Sequence, residues 1–164
     1  MKRQMVVCLS ATLALFGASA GALAAVPAMA TSTVTETVNV SQQSAAAPQS
    51  DVCAANGVMA AHYHSSGYIT SFSYSENATC TEDTEIALQA YIQYCPPTSN
   101  CSLNSSWINE GSTGLVELYG TTATTPTAIY SGPDWGYWRE MMWYSFDGVE
   151  GSKVGNVFYV EPLA

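Results

Sequence analysis

Apolar and polar positions alternate with a period of two just after the first third of the chain. In GYITSFSYS (67–75), Tyr68, Thr70, Phe72 and Tyr74 fall on one face and Ile69, Ser71 and Ser73 on the other, as in a half-buried strand. The run GVMAAHY (57–63) precedes it across His64, Ser65 and Ser66, so the two predict a hairpin with an aromatic face. The period then changes. TEDTEIALQAYIQYC (81–95) opens on Thr81 as a cap, carries acids where they complement a helix dipole, and continues with the helix formers Ala87, Leu88, Gln89 and Ala90. It predicts a helix whose apolar face holds Ile86, Ala90, Tyr91 and Tyr94, stopped by Pro96 and Pro97.

Further strands are predicted in TGLVELYG (113–120), TTPTAIYS (124–131) and GNVFYVEP (155–162), with Pro126 marking an edge or a later start. YSGPDWGYWREMMWYSFDG (130–148) reads two ways. As a strand, residues 137–146 put Trp138, Glu140, Met142, Tyr144 and Phe146 on one face, with Tyr137, Arg139, Met141, Trp143 and Ser145 on the other. As a helix capped by Asp134, the same residues stack Trp138, Met141, Met142 and Phe146. Aromatic enrichment and the bracketing turns favour the strand. The fold expected is therefore α+β, a small antiparallel sheet (a hairpin plus a C-terminal meander) packed on one helix and stapled by disulfides. An all-β sandwich or barrel with a peripheral helix is the alternative.

The N-terminus changes the picture by adding a compartment. Lys2 and Arg3, the apolar run VVCLSATLALFG and small-residue sites ending at AMA predict a signal peptide over residues 1–30, too short and interrupted for a membrane anchor. Residues 31–50, TSTVTETVNVSQQSAAAPQS, have little apolar mass and read as a disordered spacer, leaving one globular domain at 51–164. Four cysteines follow the leader: Cys53, Cys80, Cys95 and Cys101. An even number behind a secretion signal implies two disulfides. Three pairings are open. Cys53 with Cys80 and Cys95 with Cys101 are favoured, because PPTSN turns the chain between the latter two.

The whole chain has 13 acids against 4 basic residues, and losing the leader leaves Arg139 and Lys153, or 2 − 13 = −11. That charge argues against nucleic acid and anionic membranes as partners. No GxSxG, phosphate loop or CxxC occurs, so no catalytic residue is assigned and no cofactor is expected. The candidate binding set is Trp107, Trp135 and Tyr137, rings at loop ends, together with Arg139. His62 and His64, two apart on a strand, are a candidate metal pair needing further ligands. Glu140, set between Arg139 and large apolar residues, is the acid most exposed to pKa perturbation, with Asp134 a second carboxylate. The function expected is a secreted, extracellular or periplasmic, non-enzymatic module binding a protein or glycan as inhibitor, effector or recognition factor. A small carboxylate-dependent hydrolase and a metal-binding protein built on His62 and His64 are the alternatives.

Overall fold

The computed structural model describes residues 29–42 and 49–162. Nine strands form one antiparallel sheet: β1 (Met29–Gln42), β2 (Gln49–Tyr63), β3 (Ile69–Cys95), β4 (Ile108–Ser112), β5 (Val116–Thr124), β6 (Ala128–Ser131), β7 (Gly136–Phe146), β8 (Val149–Val154) and β9 (Phe158–Val160). The main path runs β1-β2-β3-β7-β8, while β4, β5 and β6 line β3 and β9 pairs with β7. The sheet curls into a half-barrel. The α+β expectation is thus overturned, and the peripheral helix of the alternative is missing as well: among the described residues the helical structure is one 3-10 turn, Asn104–Ser106.

The element expected to be a helix is the second half of β3. Residues 86–95 pair with β7 from Ile86↔Phe146 to Cys95↔Tyr137, and their other edge is taken by β5 and β4. With partners on both sides, alternation decides the outcome: Ile86, Leu88, Ala90 and Ile92 point inward and are buried, while Ala87, Gln89 and Tyr91 are half-buried on the outer face. The same apolar residues satisfy a helical stripe, which is why the local pattern misleads.

The first half of β3 forms the expected hairpin with β2, from Tyr63↔Ile69 to Cys53↔Cys80. Between the halves the strand turns a corner, where β3 skips from Thr79↔Thr122 to Thr84↔Gly120 against β5. Asp51 clamps that corner. Its carboxylate accepts hydrogen bonds from the Thr81 amide at 3.0 Å, the Thr81 hydroxyl at 2.5 Å, the Glu82 amide at 3.1 Å and the Thr84 hydroxyl. Thr81 and the following acids, which resemble a helix N-terminus in the sequence, are here the bend of a strand. Both disulfides adopt the favoured pairing, Cys53–Cys80 across β2 and β3 and Cys95–Cys101 below the loop after β3.

Residues 31–42, expected to be spacer, belong to β1, which pairs with β2 from Met29↔His62 to Gln42↔Gln49. Ser32, Val34 and Val40 are buried while the intervening threonines are exposed. Few apolar atoms suffice because a hairpin partner satisfies the backbone and Val and Thr suit a pleated surface. The signal peptide expected over residues 1–30 lies outside the described residues except for Met29 and Ala30, which open β1. At the other margin β7 turns into β8 through Asp147 and Gly148, both at positive φ (47° and 79°), as a two-residue hairpin turn requires. The margins meet where Lys153 of β8 forms an ion pair with Glu36 of β1, and where the Asn156 amide donates to the Ser32 hydroxyl at 2.8 Å.

Candidate functional site

The interior holds two apolar clusters. One lies near the corner and includes Cys53, Ala55, Ile86, Leu88, Met142 and Phe146; the other lies toward the opposite end and includes Met59, Phe72, Tyr74, Ile92 and Trp138. Between them runs one polar rung. On β2 the inward sequence is Ala55, Gly57, Met59; on β3 it is Tyr74, Glu76, Ala78; on β7 it is Trp138, Glu140, Met142. Gly57 is the register partner of Glu76 and leaves room for Glu140, since a Cβ there would stand 2.9 Å from Glu140 Oε1 and 2.9 Å from Val34 Cγ1.

Glu76 and Glu140 are both 0 % exposed, and none of their four carboxyl oxygens has a hydrogen-bond partner. The Gln89 and Trp143 amides approach Glu76 and the Val58 amide approaches Glu140, favouring the charged forms, but none reaches hydrogen-bond geometry. Burial dominates. It raises Glu140 to about 8, and burial together with the neighbouring charge of Glu140 raises Glu76 to about 8. At neutral pH these acids are held chiefly in the protonated form. Glu140 was legible as a perturbed acid in the sequence; Glu76 was not singled out, although extending the Phe72, Tyr74 alternation by one step reaches it. The pair has the chemistry of two carboxylates sharing a site, but its enclosure leaves no path for a substrate bond.

The candidate binding residues separate into two groups. Trp135 is 47 % exposed, with its indole N–H donating to the Tyr159 hydroxyl at 2.8 Å and its backbone carbonyl accepting from the Tyr94 hydroxyl at 2.8 Å. Tyr137, half-buried, packs against Tyr159 with ring centres 5.0 Å apart. Trp135 borders a cleft of about 540 Å³ together with Tyr68, Pro133, Asp134 and Glu161. Trp107, by contrast, is buried rather than displayed: its indole N–H donates to the Cys101 carbonyl at 2.9 Å, and the Arg139 guanidinium lies 4.0 Å over its ring. The inward face of the aromatic stretch is core, with Trp138, Met142 and Phe146 fully enclosed, while Trp143 is half-buried on the outer face.

His62 and His64 are engaged separately. His62 Nε2 is 2.9 Å from the Ser73 hydroxyl on the sheet, whereas His64 lies in the turn, 2.6 Å from the Ser66 hydroxyl through Nδ1 and stacked on Tyr68 at 4.8 Å. No carboxylate joins them: among the described residues, the group of three potential metal ligands brought together is Asp51, Cys53 and Cys80, and both of those cysteines are in a disulfide. Comparison with protein-family models, curated proteins and solved structures finds no match for the chain. Roles are therefore assigned from geometry.

Proposed function

We propose that this protein is a secreted, non-enzymatic binding module that recognises an extracellular protein or glycan at the cleft beside Trp135. The observation that carries the reading is the cleft itself. Trp135 and Tyr68 in its lining are 47 and 39 % exposed, and hydrogen bonds to Tyr94 and Tyr159 hold Trp135 in place, so few rotors remain to be frozen on binding. Asp134 and Glu161 supply acceptors for hydroxyl or amide donors at the same opening. The cleft's size falls in the range that takes a small ligand, a short oligosaccharide or a few side chains of a partner.

Two disulfides fit an oxidising compartment, which agrees with the leader-like N-terminus. The excess of acids favours neutral or basic partners over nucleic acid and anionic membranes. The direct measurement is intrinsic tryptophan fluorescence during titration with a panel of soluble neutral oligosaccharides and basic peptides. A saturable change that disappears in Trp135→Ala is expected. A flat response across the panel, or one that Trp135→Ala retains in full, removes the cleft from consideration.

A further inference from the structure

Arg139 stands on the outer face of β7 and is only 8 % exposed, yet its partners are all neutral. Nε donates to Gln93 Oε1 at 2.8 Å, Nη2 donates to Asn104 Oδ1 at 3.4 Å, and the π face of Trp107 lies beneath the guanidinium. A guanidinium carries five N–H donors. Two are engaged, so 5 − 2 = 3 have no protein acceptor among the described residues. No carboxylate pairs with Arg139 there either, although the chain has 13 acids. A buried cation ordinarily has an anionic partner, because desolvation is otherwise uncompensated.

The guanidinium lines a cleft of about 460 Å³ with Gln93, Asn104, Ser152, Lys153 and Glu36. The charged groups of that lining are Arg139, Lys153 and Glu36, or 2 − 1 = +1. This is a positive site on a strongly acidic chain. We propose that the cleft binds a carboxylate group of a ligand, with Arg139 as the fork that holds it and Asn104 and Ser152 as flanking polar contacts. A planar carboxylate matches the fork in two parallel hydrogen bonds. The lining balances a single negative charge, and Glu36 opposes a second, which disfavours phosphate. Such a carboxylate belongs either to the uronic acid of a glycan or to the C-terminus of a peptide. The site adds a ligand chemistry to the proposed binding role and stands independently of the Trp135 cleft.

The arginines of the chain are Arg3 and Arg139, so two Nε–Hε correlations are expected, and the one that Arg139→Lys removes is the NMR reporter. The intact chain is titrated with sodium glucuronate, its neutral methyl ester, N-acetylglycine and inorganic phosphate. Saturable displacement of the Arg139 signal by glucuronate or N-acetylglycine is expected, with the stronger of the two identifying the source. Binding of the ester and of phosphate is expected to be at least about tenfold weaker. Arg139→Lys, which keeps the charge but loses the fork, weakens carboxylate binding by about tenfold, read from the side-chain amide signals of Gln93 and Asn104 in the same lining, while Trp135→Ala leaves it unchanged. A signal that neither carboxylate moves overturns the proposal. So does equal displacement by the ester or by phosphate, or loss of the response in Trp135→Ala.

Discussion

Single residues carry opposing pH dependences in this fold. Glu76 and Glu140 have folded pKa values of about 8 against an ordinary 4.5, so between those values the folded state binds more protons than the unfolded chain. Their contribution is therefore complete below pH 4.5 and is lost as pH rises toward 8, at up to about 1.4 kcal/mol per pH unit for each group. Asp51 acts in the other direction. Burial raises its pKa, but the hydrogen bonds from Thr81, Thr84 and Glu82 together bring it below the ordinary 3.8, so its contribution is present above that value and is lost on acidification. Urea unfolding as a function of pH is expected to show greatest stability at about pH 4 to 5 and a decline toward pH 8. In Glu76→Gln and Glu140→Gln the alkaline decline is shallower and stability at pH 8 is higher; an unchanged slope in both variants refutes the coupling. Asp51→Asn loses about 1–3 kcal/mol, measured by the same unfolding curves at pH 7, because one of the two acceptor oxygens becomes an NH2 donor and either the Thr84 hydroxyl or the Thr81 and Glu82 amides lose their acceptor.

At the scale of elements, β3 shows what neighbours do to an ambiguous segment. Residues 81–95 meet both a helical and a strand pattern, and pairing with β7 on one edge and β5 and β4 on the other selects the strand. Far-UV circular dichroism is accordingly expected to show a β spectrum without the helical double minimum. The Asp147-Gly148 turn and the β2–β3 hairpin were legible because their signals are local: turn chemistry and alternation within a few residues. β1 was not, since its valines are thinly spaced among threonines and other polar residues. The disulfides belong to this scale too. Cys53–Cys80 spans 27 residues and Cys95–Cys101 spans 6, so chain entropy assigns them about 3.5 and about 2 kcal/mol. Thermal unfolding of the paired alanine variants is expected to show the larger loss for Cys53 and Cys80.

For the whole molecule, charge is the dominant surface property. A formal −9 on the full chain with few cations implies self-repulsion in the folded state. Added sodium chloride is therefore expected to raise the melting temperature at pH 7, with most of the gain reached once the Debye length falls to about 10 Å, near 0.1 M. A melting temperature independent of salt refutes that reading. The curled sheet also explains why the interior pair exists at all. The two halves of β3 bring β2 and β7 face to face, and Gly57 leaves the volume in which the Glu140 carboxyl sits beside Glu76.

The sequence by itself indicated the four cysteines of the framework, the acidic balance, the β2–β3 hairpin and, on the favoured strand reading, the two faces of residues 137–146, without saying which of them points inward. These follow from composition, turn chemistry and a period of two, all of which act over short distances along the chain. The tertiary structure decided the rest: that residues 81–95 are a strand, that Trp107 is buried under Arg139 while Trp135 faces a cleft, and that Glu76 meets Glu140. The partners lie far apart in sequence: 32 positions from Trp107 to Arg139, 64 from Glu76 to Glu140, and 42 to 60 for the pairing of residues 86–95 with β7. Their approach is set by how the sheet curls, which no local pattern encodes.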